Sequence, residues 1–242
     1  MKSFANKKNT MSIQKNLLSI KAALPANVSL VAVSKTKPVA DLLQAYDAGQ
    51  RIFGENKIQE MTDKWQQMPK DIEWHMIGHV QTNKVKFMAE YVSLIHGVDS
   101  LKLLEEINKQ AQKHNRIIDC LLQVYIAEEE SKFGLNEEEL IEIFHYVQSQ
   151  GEAEQSNANY KNEMKNIKIV GLMGMATFTE NQNQIKKEFQ NLKTIFDTFK
   201  QLETFNLKLE TISMGMSGDY QLAIDCGSTM VRIGSSIFGG RS

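Results

Sequence analysis

Lys35 closes a short apolar run, LVAVSKTKP (Leu30 to Pro38), and two turns of small residues lie far downstream: SMGMSG (Ser213 to Gly218) and VRIGSSIFGG (Val231 to Gly240). A lysine amine can form a Schiff base with an aldehyde, and backbone N–H groups in Gly/Ser turns can cradle a phosphate. A single small molecule, pyridoxal 5′-phosphate (PLP), asks for both at once. The chemistry to be tested is therefore an amine and a phosphate cradle meeting in one pocket.

Such residues need elements that bring them together, and the chain supplies an alternation from end to end. A leading helix, with Ile13, Leu17, Ile20 and Leu24 at helical spacing, stops at Pro25. Strands are expected at Val28–Ser34, Arg51–Phe53, Trp74–Ile77, Leu94–Gly97, Ile118–Ile126, Ile167–Met173, Leu209–Ser213 and Met230–Ile233. Amphipathic stretches separate them, with Val39, Leu42, Leu43 and Tyr46 on one face and Leu140, Ile141, Phe144 and Val147 on another. Asn136 with Glu139, and Thr179 with Gln182, read as capping boxes. Eight strands alternating with helices are the count of a closed (β/α)8 (TIM) barrel with an extra N-terminal helix. An open doubly wound sheet would carry GxGxxG after its first strand, and that pattern is absent. The polar stretch Gly151 to Asn166 reads as a surface loop.

In a barrel, ligands sit at the C-terminal ends of the strands, and phosphate sits on the loops after strands 7 and 8. Val31, Val33 and Lys35 share a parity that points into the mouth, where desolvation would lower the lysine pKa. Lys37 shares that parity but precedes Pro38 on the loop rim, which makes it the rival or secondary amine. Gly215 and Gly218 let the first turn fold tightly, and Ser217 is expected to cap a helix from Asp219 to Asp225. Gly234, Ser235 and Ser236 offer consecutive donors. Arg232 has the parity of Gly234; it either balances a buried acid or faces the pyridine nitrogen of PLP. A guanidinium does not surrender its proton, so that nitrogen would stay unprotonated and the ring would be a poor electron sink. Asn56 follows strand 2 and suits either a contact to the cofactor ring oxygen or an N-cap. His75 and His79 read as packing groups, and Met173, Met175, Met214 and Met216 as core filling.

Charge is nearly balanced, 28 Lys+Arg against 29 Asp+Glu, so no global field recruits nucleic acid or an anionic membrane. Lys84 to Lys86 and Lys186–Lys187 read as solvated helix faces. Cys120 and Cys226 lack metal-ligand spacing and read as buried thiols of a reducing cytoplasm. No stretch approaches the roughly 20 apolar residues of a membrane span, and MKSFANKKNT lacks a signal-peptide core. No long apolar stripe remains after the helices dock, which suggests a monomer.

The motifs AVSKTKP, AGQRIFGEN with the following QE, EWHMIGHVQTNK, SKFGL (Ser131 to Leu135), GLMGM and SMGMSGDYQLAIDCGSTMVRIGSSIFG occur in order over nearly the whole chain. In these the sequence resembles the pyridoxal phosphate homeostasis protein family. The resemblance implies one barrel domain over residues 1–242, similar to the N-terminal domain of bacterial alanine racemases, with Lys35 as the PLP-bearing lysine. It puts Ser213, Met214, Ser217, Gly234 and Ser235 on the segments around the phosphate and Arg232 near the ring nitrogen. It further implies a carrier or regulator of vitamin B6, without established turnover, whose partners include PLP-dependent apo-enzymes. The chain departs from the family pattern in its longer polar loop and its early end at FGGRS. A weak racemase-like PLP enzyme, with His79 or Tyr125 moving the proton, is the alternative. It is disfavoured because the second acid/base of such racemases, a tyrosine, comes from a further domain. A PLP-free aldolase-type barrel using Lys35 is the third reading.

Overall fold

Short runs rich in Val, Ile and Leu, each followed by an amphipathic stretch, resolve into eight parallel strands that close on themselves in sequence order, β1 to β8. The computed structural model describes residues 5–129, 133–155, 164–202, 204 and 206–240. Ser131 and Lys132 of the SKFGL motif, residues 156–163 of the polar stretch, and the final Arg241 and Ser242 lie outside the described residues.

The strands are β1 (Ser29–Val33), β2 (Ile52–Glu55), β3 (Glu73–Met76), β4 (Val92–Val98), β5 (Ile118–Gln123), β6 (Ile167–Met173), β7 (Leu207–Met216) and β8 (Met230–Ile233). The helices are α1 (Ala5–Ala23), α2 (Val39–Asp47), α3 (Ile58–Gln67), α4 (Leu101–Lys113), α5 (Glu137–Gln155), α6 (Gln182–Phe199), α7 (Tyr220–Asp225) and α8 (Ser235–Phe238). After β3 the connection is a 3-10 turn, Thr82–Phe87, in place of the expected α-helix. Closure comes from β8 pairing with β1, Val31 beside Arg232 and Ala32 beside Ile233.

β6 and β8 coincide with the expected segments. β7 runs on to Met216, past the expected end at Ser213, and so carries the first small-residue turn on a strand rather than a loop. β5 stops at Gln123: Val124 still donates to the Met173 carbonyl of β6 at 2.8 Å, but from there the chain turns to Leu135, to which Val124 bridges and Tyr125 donates at 2.9 Å. Residues 151–155 of the polar stretch continue α5. The Asn136–Glu139 box forms as expected: each backbone N–H donates to the other side chain, both at 2.9 Å. The box expected at Thr179 and Gln182 does not form. Asn181 caps α6 instead, its Oδ1 accepting from Asn183 and Gln184, while Thr179 accepts from Asn181 itself.

The main core lies between strands and helices, where Leu42, Phe53, Trp74, Leu104, Phe144, Phe189 and Leu192 are buried. In α2, Leu42 and Ala45 are buried while Leu43 turns partly to solvent, so the docked stripe is narrower than its periodicity suggested. α1 packs on α2 and α8. Burying its Ile13, Leu17 and Ile20 contributes about 2 kcal/mol each. A second, smaller cluster fills the barrel interior with Val31, Leu94, Leu121, Met173 and Met230. Cys120 and Cys226 are buried free thiols, and the lysines at 84, 86, 186 and 187 are exposed. Among the described residues, no helix is long and apolar enough to cross a membrane.

Candidate functional site

The C-terminal ends of the strands surround a cavity of about 480 Å³. Strand alternation explains its walls. Val33 and Lys35 continue the inward parity of Val31, Asn56 continues that of Ile52, and Arg232 with Gly234 continues that of Met230. Lys35 is half-buried on one wall. Lys37 also lines the cavity, but its Nζ donates to the Gly240 carbonyl at 2.8 Å, which ties it to the rim.

The adjoining wall is built from the turn after β7 and the start of α8, with Ser217, Gly218, Gly234 and Ser235 lining the cavity. Gly215 has φ +94°, and a Cβ there would come within 2.6 Å of Ala223 Cβ; only glycine lets β7 bend onto α7. Ser217 does not cap α7, contrary to its expected role. Its Oγ accepts from the Gly234 N–H at 3.2 Å and so ties the two turns together. α7 begins at Tyr220 with no side-chain cap. By helix geometry the N–H groups of Ser235 and Ser236 have no intrahelical acceptor. Both residues are exposed at the mouth, and the arrangement can bind an anion.

Arg232 forms the floor. It is buried, and it donates to the Ser213 carbonyl at 2.8 Å, to Ser213 Oγ at 2.6 Å and to the Gly174 carbonyl at 3.1 Å. Among the described residues it makes no ion pair. Burial lowers its guanidinium to about 10, partly offset by the charge of Asp219, so it stays cationic at neutral pH. Behind it runs a buried polar column: Ser213 Oγ lies 3.0 Å from His96 Nδ1, and His96 Nε2 lies 3.0 Å from His75 Nδ1. Arg232 donates at one end. The chain is therefore satisfied when Ser213 donates to His96 and His96 to His75, both rings neutral. Burial drives His75 down to about 3 and holds His96 well below its usual range, helped by His75 and Arg232.

Of the residues singled out in the sequence, Lys35, Asn56, Ser217, Arg232, Gly234 and Ser235 meet in the cavity. Ser213 and Met214 do not line it. Ser213 holds Arg232 from behind, and Met214 points to the helix layer as part of the main core. Asn56 is not the N-cap of α3; Lys57 is, without a side-chain bond. Met175 and Met216 line the cavity instead of filling core, Met216 being partly exposed, whereas Met173 fills the barrel interior. His75 is indeed a satisfied packing group, but His79 is half-exposed and pairs with Asp99 at 3.1 Å.

Sequence reading missed His96 and the buried Glu188. Glu188 accepts from Thr177 and from the Glu128 N–H, joining the loops that follow β5 and β6. The inward parity of His96 with Leu94 was a usable signal for the first.

The family model of the alanine racemase N-terminal domain matches residues 9–242. A pyridoxal phosphate homeostasis protein of Aquifex aeolicus is 37% identical over 213 residues, covering 88% of this chain and 86% of that relative. PipY of Synechococcus elongatus, solved with PLP bound, superposes with a TM-score of 0.77 at 33% identity, covering 94% of this chain and 100% of that one. An alanine racemase from E. faecalis shares the fold alone, at 17% identity and a TM-score of 0.70, covering 96% of this chain and 58% of that one. By sequence along almost its whole length, and by a barrel of the alanine racemase N-terminal type, the chain belongs to the pyridoxal phosphate homeostasis protein family.

Proposed function

We propose that the mouth cavity holds PLP on Lys35 and that the protein stores or delivers this cofactor in vitamin B6 homeostasis without turning it over. One observation carries the reading: Lys35 and two donor-rich turns from the other end of the chain meet in a single cavity. The family membership supports it, as does the PLP bound to PipY.

The bound group supplies an electrophilic aldehyde. Lys35, the amine at the cavity wall, would be the residue that holds it covalently, one water being released for each aldehyde bound. Ser217, Gly234 and Ser235 would hold the phosphate with hydroxyl and N–H donors, and Asn56, on the β2 side of the cavity, would serve the ring oxygen. Ser213 acts through Arg232, and Met214 seats the β7 backbone by packing behind it. Arg232, cationic and locked by three hydrogen bonds, would be the group nearest the ring nitrogen and would disfavour its protonation. A ring so held withdraws electrons poorly, which favours holding over carbanion chemistry. Lys37, the rival amine, is held at the rim by the Gly240 carbonyl. A cytoplasmic monomer built as one barrel domain, handing PLP to apo-enzymes, completes the reading.

The test is a visible spectrum of the PLP-treated protein before and after borohydride reduction, followed by peptide mapping. Modification is expected at Lys35, and Lys35→Ala should remove the coloured species; label confined to Lys37 would refute the assignment. Incubation with each amino-acid enantiomer in deuterated water should give Cα exchange no faster than free PLP. Sustained faster exchange would overturn the non-catalytic part.

A further inference from the structure

The turn that carries Lys35 is strained. Lys37 N–H donates to the Ser34 carbonyl at 3.0 Å, closing a four-residue turn whose third residue, Thr36, has φ +64°. That left-handed region is the ordinary place of glycine, and it disfavours a β-branched residue by about tenfold in population. Something outside the turn must hold it there.

The holder is a buried charge cluster on the helix side of the strands. Ser34 and Glu55 alternate with the mouth-facing residues and so face α3, which brings Lys64 and Glu60. Lys64 Nζ donates to the Ser34 carbonyl at 2.8 Å, to Glu55 Oε1 at 2.7 Å and to Glu60 Oε1 at 2.7 Å. Ser34 Oγ donates to Glu55 Oε1 at 2.6 Å. Glu60 Oε1 then accepts from the Thr36 N–H at 2.6 Å. Both residues flanking Lys35 are thus gripped by one cluster. Glu55 and Lys64 are buried, and among the described residues Glu55 Oε2 has no partner; burying such a pair costs desolvation, so its presence is not explained by stability alone.

We propose that Glu60, with Lys64 and Glu55, forms a positioning device that holds Thr36 in the left-handed conformation and thereby aims the Lys35 amine into the cavity. This rests on the assignment of PLP to Lys35. Lys64 and Glu60 bond the backbone on either side of Lys35, Glu55 holds the Ser34 hydroxyl, and none of the three lines the cavity. They act on the geometry of the amine, not on the cofactor.

Glu60 is the residue to change, because it is the partly exposed member and its loss leaves the Lys64–Glu55 pair intact. Four proteins are compared with the unaltered chain: Glu60→Met, Glu60→Gln, Thr36→Gly, and Glu60→Met combined with Thr36→Gly. Two readouts are taken. The first is hydrogen exchange of the Lys37 amide in PLP-free protein, which reports the turn itself. The second is the PLP concentration needed to form the borohydride-reducible adduct on Lys35. Thermal midpoints verify that each variant is folded.

Glu60→Met should lower Lys37 protection and weaken adduct formation, each about tenfold. Glu60→Gln keeps an acceptor for Thr36 and should stay near the unaltered chain. In the combined variant glycine adopts the left-handed turn without the carboxylate, so both readouts should recover most of the loss. A purely structural role for Glu60 would not be rescued at Thr36. Adduct formation unchanged in Glu60→Met, or a loss that Thr36→Gly fails to restore, overturns the positioning role while leaving the PLP assignment standing. An unaltered chain that forms no adduct on Lys35 overturns the PLP assignment, and the positioning role with it.

Discussion

The imidazole column beneath Arg232 makes the protein acid-sensitive in a way that one substitution isolates. Burial drives His75 to about 3 in the folded chain, against about 6.5 when unfolded. A group whose folded pKa is depressed binds its proton preferentially in the unfolded state. The stability it supports is complete above about pH 6.5 and is lost as the pH falls from there toward about pH 3. At about pH 5 the unfolded chain gains roughly 1.5 pH units' worth of protonation that the folded chain does not follow, and at about 1.36 kcal/mol per unit the loss is about 2 kcal/mol. His96, also held low, adds loss in the same sense. His75→Gln keeps an acceptor for His96 and does not titrate. Urea unfolding of both proteins near pH 7.5 and near pH 5, at one ionic strength and without PLP, gives the comparison. The unaltered chain should lose about 2 kcal/mol more than the variant over that interval. Glu55 and Asp119, whose carboxyls burial raises, act in the opposite sense, but they are present in both proteins and cancel. Equal losses in the two proteins would show that His75 is not kept neutral by burial, and the hydrogen-bond order assigned to the column would fall with it.

A Cβ at Gly234 would stand 2.9 Å from the Val33 carbonyl oxygen and 3.1 Å from Val33 Cβ, so the start of α8 must move. Gly234→Ala should cost about 1–3 kcal/mol by urea midpoint and weaken PLP binding in titration; unchanged PLP binding would remove this turn from the phosphate site. Burial pushes the Cys120 thiol far above its usual range, so a thiol reagent should modify it only when the chain unfolds. Rapid labelling of Cys120 in the native protein would contradict its place in the core.

Much of this protein is legible along the chain, because β strands and amphipathic helices write their burial into spacing. The expected bounds of β6 and β8 coincide with the structure, since each is a short run dominated by β-branched and aliphatic residues, interrupted only by Lys168 and Gly171 in β6 and by Arg232 in β8, and bounded by a turn or by Gly234. Strand parity from Val31 carried Lys35 to the mouth, and parity from Met230 carried Arg232 and Gly234 there. The failures share a cause. Thr179 and Asn181 are both competent caps, and only the direction in which the chain enters α6 selects Asn181. Spacing alone offers Ser217 to its nearest helix, but its partner is Gly234, brought to it by the pairing of β7 with β8.

The sequence by itself determined the alternation of elements, the parity of the mouth residues, and the two small-residue turns, because each depends on near neighbours in the chain. The tertiary structure alone decided which groups complete the site. Ser213 became the support of Arg232, His96 joined His75, and Glu60 came to hold the turn at Thr36. Those bonds join residues on different strands and helices. Their lengths follow from barrel closure and register, and no local spacing records how a strand end meets the helix that packs behind it.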